Sequence, residues 1–362
     1  MEKLHFVLNK GVYPYRVGGM EIFNYYLIKS LKDEYDISYT SCKPLDLDGL
    51  DYNKCRDGIQ TIFFPLQLLI YLLRHKKLNM VIFSFSRMNW LIWYQYYLIC
   101  KFLKKKYFVV IHLGDIPPKG HDRCYKIFLK HAKKVVAVSE GIKTNYDTKY
   151  GLNCKVIYPL VPFPESNLNR ADLRQKYKIN KDVNVICMIG SLKEMKNPDT
   201  ILNALSLFTI EEKKVYKPYI IYAGNGVMIE TLKQLVEEYQ LKDSVSFLGN
   251  VPKEDVCEIL KLADIYLIAS DYEGTSVSLL EAMYNKKVII ASRAPGIINT
   301  IVENEECLMF EPRNAAVLKQ CVIKVLSDEK LRVNLSHNSY MHFLNDYDYR
   351  KVISSYKMIF SE

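Results

Sequence analysis

Short runs of β-branched and aromatic residues recur along this chain and alternate with longer amphipathic stretches. No other feature limits the fold as much. In the first half the runs are Leu4–Leu8, Ile37–Thr40, Met80–Phe85, Tyr107–His112, Val135–Ser139 and Lys155–Tyr158. Most are apolar along their length, as strands buried on both faces are. The stretch Glu21–Leu31 places Ile22, Tyr25, Tyr26 and Ile28 at spacings that share a helix face. Strand and helix in repetition specify an α/β fold, a parallel sheet covered by helices on both sides.

Around Leu160–Asn169 the rhythm stops. Pro159, Pro162 and Pro164 crowd together and polar residues follow. The pattern restarts with Val183–Ile189, Tyr219–Ala223, Val245–Leu248, Ile265–Ala269, Val288–Ala291 and Cys307–Phe310. Helices are expected over Asp199–Leu207, Val227–Tyr239, Lys253–Leu262 and Val277–Tyr284, and the tail from about Asp328 reads as helical. A chain of 362 residues is too long for one ordinary core. Two domains are therefore expected, 1–165 and 166–344, joined by the Pro-rich linker with a cleft between them. Ligands of open parallel sheets bind beyond the carboxyl ends of the strands, so the strand-to-helix turns are where chemistry is sought.

The net charge of +10 is unevenly placed. Residues 1–165 hold 25 Lys and Arg against 14 Asp and Glu, whereas residues 166–362 hold 25 against 26. A basic first half suits an anionic partner, whether lipid, nucleic acid or a phosphate-bearing substrate. The nine cysteines form no Cys-x-x-Cys pair and most sit in apolar runs, which reads as buried reduced thiols in a cytoplasmic protein. The N-terminus runs straight into Leu4–Leu8, with no secretory signal before it.

Six turns stand out. Asp271 to Glu281 follows a strand and opens a helix, with Glu273 in the turn, Gly274 permitting a tight bend, and Thr275 and Ser276 able to cap. Gly190 to Pro198 carries Ser191, Lys193 and Lys196 ahead of a helix for which Asn197 and Pro198 read as N-cap and first residue. Lysines beside a helix start suit a diphosphate. The others are Gly224-Asn225-Gly226, the early pair Gly18-Gly19, the strand-end His112, and Ser139-Glu140-Gly141. Taken singly, each also reads as an ordinary capped turn.

Taken together, the turns resemble the retaining GT-B glycosyltransferases of family 4, the glycosyl transferases group 1. The most specific match is the E-x7-E pattern of Glu273 and Glu281, with its Gly after the first Glu and its Leu-Glu-Ala-Met close. The resemblance implies two Rossmann-like domains facing each other across a cleft, with a C-terminal helix, about 345–362, packed back on the first. It implies that Glu281 holds the ribose of a nucleotide diphosphate-sugar and that Glu273 contacts the donor sugar. Gly274, Thr275 and Ser276 would offer amides, and Lys196 would neutralise the diphosphate. Gly18 and Gly19 would lie against the reacting centre, His112 would touch the donor sugar, and Ser191, Lys193, Gly224 and Asn225 would complete the donor site. No metal or other cofactor is implied. The sequence departs from the family pattern at Ser191, where Arg is usual, after Gly296, where Ile297, Ile298 and Asn299 replace the common acidic residue, and at Glu305-Glu306, where Asn-Gly is usual.

The acceptor would bind the basic first half. There Phe63–Leu73 and Trp90–Leu103 are apolar stretches with basic ends, too short to span a bilayer. Either they cover the sheet as ordinary helices, or they also lie on an anionic membrane surface. The second reading fits a glycan or lipid-linked acceptor and a peripheral enzyme of bacterial surface polysaccharide synthesis at the inner face of the cell membrane. A UDP-linked donor is the default expectation. A catalytically degenerate sugar-nucleotide-binding subunit and a GT-B epimerase share the fold. No helix-turn-helix, zinc or RNA-binding signature points to nucleic acid.

Overall fold

The computed structural model describes residues 1–8, 19–54, 60–78, 80–85, 90–112, 122–159, 163, 165–273 and 276–361. The chain divides into two units, Met1–Pro162 with Tyr349–Glu362, and Phe163–Asp348. Each is a Rossmann-like α/β unit built on a parallel sheet.

The first sheet has seven strands, β1 (Lys3–Leu8), β2 (Asp36–Ser41), β3 (Asp51–Lys54), β4 (Met80–Phe85), β5 (Lys106–Ile111), β6 (Lys134–Ala137) and β7 (Lys155–Val156). Their order is β3-β2-β1-β4-β5-β6-β7, all pairs parallel. β1 is buried from Leu4 to Leu8, as an apolar run between two helical layers must be. On the helix Gly19–Leu31, Ile22 and Ile28 are buried as the spacing suggests, Phe23 and Leu27 are buried with them, and Tyr25 and Tyr26 are only half-buried. The C-terminal helix Tyr349–Ser361 belongs to this unit, with Tyr356 5.8 Å from the Phe23 ring and Phe360 edge-on to Phe108.

The second sheet has six strands, β8 (Asn184–Ile189), β9 (Pro218–Ala223), β10 (Val245–Gly249), β11 (Ile265–Ile268), β12 (Val288–Ser292) and β13 (Cys307–Phe310), in the order β10-β9-β8-β11-β12-β13. The helices Asp199–Ser206 and Ala315–Ser327 pack together on one of its faces. In both sheets the chain runs outward in one direction, then returns to the middle and runs the other way. The reversal falls between β1 and β4 in the first sheet and between β8 and β11 in the second, and beyond the carboxyl ends of such a pair lies the ligand crevice of this architecture.

Eight described cysteines are unpaired and seven of them are buried. No described helix is long and apolar enough to cross a membrane.

Candidate functional site

The reversal point of the second sheet is crowded with charge. After β8 the chain passes Gly190, forms a tight turn over Glu194–Lys196, and enters the left-handed region at Asn197. After β11 it passes the fully buried Ser270 and reaches Glu273. The Lys196 ammonium is ion-paired with the Glu273 carboxylate, whose Oε1 also accepts from Ser270 Oγ at 2.7 Å. Backbone bonds stitch the two turns together, Asp271 N to Met195 O at 2.9 Å among them, and Glu273 N donates to Pro295 O at 3.0 Å.

Asn197 is not the helix N-cap that its sequence position suggests. The helix starts at Asp199, and Pro198 precedes it without a side-chain cap. The Asn197 side chain instead donates to Ala269 O at 3.0 Å and to Asp271 Oδ1 at 2.6 Å. A short polar side chain that tolerates positive φ fits this place, because it ties the lysine turn to the end of β11. Asp271 is held from its other side by Arg313 Nη2 at 2.6 Å, and the guanidinium lowers the carboxyl pKa.

Glu281 lies one turn into the helix Val277–Tyr284, which Ser276 caps through Leu279 N at 3.4 Å. Its carboxylate is buried and is ion-paired with Lys253, from the turn after β10. Burial raises the Glu281 pKa and the Lys253 ammonium opposes that rise. Of the two carboxylates of the E-x7-E pattern Glu281 is thus buried and Glu273 half-buried, and each is matched to its own lysine. Lys253, Ser270 and Arg313 carry no signal in the sequence that assigns them here.

Gly224 and Gly226 have a packing reason to be glycine. A Cβ on Gly224 would stand 1.8 Å from Gly190 O, and one on Gly226 would stand 2.2 Å from Leu192 O. The turns after β8 and β9 are in backbone contact, with Leu192 N bonded to Asn225 O at 3.0 Å. Ser191 is half-buried and Lys193 is exposed in the same turn.

In the first unit His112 follows β5, and its Nε2 lies 2.9 Å from Ser84 Oγ at the end of β4. Ser84 in turn donates to Asn24 Oδ1 at 2.5 Å, from the helix that begins at Gly19. With the hydroxyl proton committed to Asn24, the imidazole is the donor at Nε2. Burial pushes the His112 pKa down to about 3, so the ring is neutral at physiological pH. Gly18, Gly274 and Thr275, three of the sequence-derived site residues, lie outside the described residues. Among the described residues no group of three or more His, Cys, Asp or Glu is placed to share a metal ion.

Fold and site together define a class: Rossmann-like α/β units, the second with a buried, ion-paired charge cluster where such sheets take nucleotides. The sequence model of glycosyl transferases group 1 matches residues 169–342. An uncharacterized glycosyltransferase of Methanocaldococcus jannaschii is 28% identical over 240 residues, 65% of this chain and 60% of that protein. The N-acetyl-alpha-D-glucosaminyl L-malate synthase of Bacillus anthracis is 23% identical over 278 residues, 72% of this chain and 71% of that protein. Among solved structures, Anabaena HepE in complex with UDP superposes with a TM-score of 0.82 at 14% identity over 100% of both chains. HepE has also been solved with UDP-glucose. Family model and relatives together support the glycosyl transferases group 1 family, and the model's match lies within the second unit. The chain spans 60% of the length of its M. jannaschii relative.

Proposed function

We propose that this protein is a retaining, metal-independent glycosyltransferase of family 4, moving a hexosyl group from a nucleotide diphosphate-sugar, UDP-linked by preference, to a glycan acceptor. The observation that carries the reading is the Lys196–Glu273 ion pair at the reversal point of the second sheet. In the reaction the bond from the sugar carbon to the diphosphate oxygen breaks, and the acceptor oxygen bonds to that carbon as its proton leaves. The sugar gains oxocarbenium character and the diphosphate gains charge. In this reading Lys196 exchanges its carboxylate for that diphosphate, freeing Glu273 for the sugar hydroxyls; the ion pair between them supports the assignment. Glu281, ion-paired with Lys253, is the acceptor of choice for the ribose hydroxyls. Ser191, Lys193, Gly224, Asn225, Gly274, Thr275 and the amide of Ser276 complete the proposed donor site of the second unit, and Gly18, Gly19 and neutral His112 are the first unit's proposed contributors to the transfer.

HepE, which shares the fold, binds UDP and UDP-glucose, and this supports the choice of uracil. The basic first unit supports a lipid-linked acceptor at the cytoplasmic face of a bacterial membrane, in the assembly of a surface polysaccharide. A donor-hydrolysis assay across UDP-, GDP-, ADP- and dTDP-sugars, read as nucleotide release, tests the reading. Release from one nucleotide class, with the anomeric configuration of the freed sugar retained, is the expected result. Donor binding without release or transfer would instead favour a binding subunit, the reading to which Ser191 lends weight. Conversion of the donor to another sugar nucleotide would favour an epimerase.

A further inference from the structure

Between Asp57 and Asp115 the sequence holds eight Lys and Arg and no Asp or Glu. That stretch forms two helices, Gln60–Arg74 and Trp90–Phe102, which pack against each other. One connects β3 to β4 and the other β4 to β5, both stepping in the same direction across the sheet, so right-handed crossovers place them on the same face. Each buries an apolar face on the sheet, Leu68, Tyr71 and Leu72 from the first and Trp93, Tyr96 and Cys100 from the second. Each is also apolar on its outer side. Leu66, Ile70 and Leu73, at i, i+4 and i+7, form an exposed stripe on the first helix. Leu98 and Phe102, one turn apart on the second, are exposed, Phe102 to 80%. A helix covering a sheet in water ordinarily shows charge on that side.

Cations gather where both helices end. Lys76 and Lys77 follow the first helix and Lys101 and Lys104 close the second, all exposed. The two turns are neighbours, since Lys105 Nζ donates to Lys76 O at 2.9 Å. We propose that this face, the apolar stripe with its basic turns, is the surface by which the protein lies on an anionic lipid bilayer. The side chains are long enough to reach the headgroup boundary and the lysines meet phosphate. The stretch itself holds no carboxylate, and the one that β3 brings to the first helix, Asp51, accepts from the Tyr71 hydroxyl at 2.6 Å and lies 3.6 Å from His75 Nε2. The inference deepens the membrane part of the proposed function and rests on that reading, but it makes no use of the donor site.

Flotation with phosphatidylcholine vesicles, with and without phosphatidylglycerol, tests it, using the full chain, the variant Ile70→Glu/Phe102→Glu and the variant Lys76→Gln/Lys77→Gln. All four positions are exposed, and circular dichroism checks that the variants fold. The wild type is expected to float with the anionic vesicles and to be released by salt. Each lysine removed should weaken partitioning about fivefold, and the double Glu variant should stay at the bottom of the gradient. Absence of flotation with anionic vesicles at low salt would overturn the proposal, as would variants that float like the wild type. A dimer dissolved by Phe102→Glu without flotation would assign the face to a second copy, and retention on RNA without vesicle binding would assign it to nucleic acid. UDP binding measured on the same samples separates the two readings, because a wild type that binds UDP but does not float with anionic vesicles refutes the surface alone.

Discussion

Replacing Lys253 by Met isolates the electrostatics of the second unit. The substitution keeps the length of the stem and removes only the ammonium. The Lys253 and Glu281 side chains expose 14% and 6% of their surface, so the pair is close to fully desolvated. Removing one partner of such a pair leaves an uncompensated buried charge and costs about 3–5 kcal/mol. In a unit of this size about 1 kcal/mol moves the transition by about 2–4 °C, so the second unit should melt about 6–20 °C lower at neutral pH. Part of the deficit is avoidable, because Glu281 can take up a proton. Its pKa is already raised by burial and rises further without Lys253. A carboxyl whose folded pKa is raised contributes its full stability below the unfolded value near 4.3 and loses it as pH rises through the folded one. The deficit of Lys253→Met should therefore be smallest near the unfolded pKa and grow toward neutrality. Adding Glu281→Gln should recover most of it, since no charge is then stranded. Thermal unfolding by circular dichroism across that pH range is the assay. A Lys253→Met transition within about 2 °C of wild type at neutral pH, well below the cost expected of a stranded charge, would refute the reasoning. So would a double variant less stable than Lys253→Met.

Three further outcomes are expected. Gly224→Ala should be severely destabilised, by about 2–5 kcal/mol, because its Cβ meets Gly190 O and its φ of 154° disfavours any side chain; melting temperature or soluble yield checks this. His342 bonds Glu306 Oε2 at 2.9 Å, and that bond with the nearby carboxylates raises its pKa. Its stabilising contribution should be complete below about 6.5 and lost as pH rises through the folded value, and His342→Gln should flatten that part of the stability profile. Lys196→Ala should lower turnover of the donor about 10²–10³-fold, the size of losing one preorganised donor at a developing anion, with a smaller effect on KM.

Much of the scaffold is legible in the sequence. Met80–Phe85, Cys307–Phe310 and the helix Val277–Tyr284 have the limits read from the apolar pattern, because buried strands and a capped helix are written in local composition. β3 is invisible to that reading, since Asp51–Lys54 is a polar edge strand with no apolar run. The helix Ile210–Tyr216 escapes it as well, because its Ile210 and Val215 are exposed and carry no core pattern. The site divides in the same way. Glu273, Glu281 and Lys196 are legible from spacing and turn position. The partnership of Glu281 with Lys253 is not, because strand order brings the turn after β10 to that helix. Asn197 reads locally as a cap and is recruited away by Ala269 and Asp271, contacts that exist only once β8 and β11 lie side by side.

The most direct test of the central claim, that the reversal point of the second sheet is a nucleotide-sugar site, is calorimetric titration of UDP into the wild type, Lys196→Ala and Glu281→Gln. The account predicts a single site in the wild type, weakened about tenfold or more in each variant, as loss of one charged hydrogen-bond partner requires. Binding that is unchanged in both variants, or no UDP binding at all by a folded wild type, would contradict it.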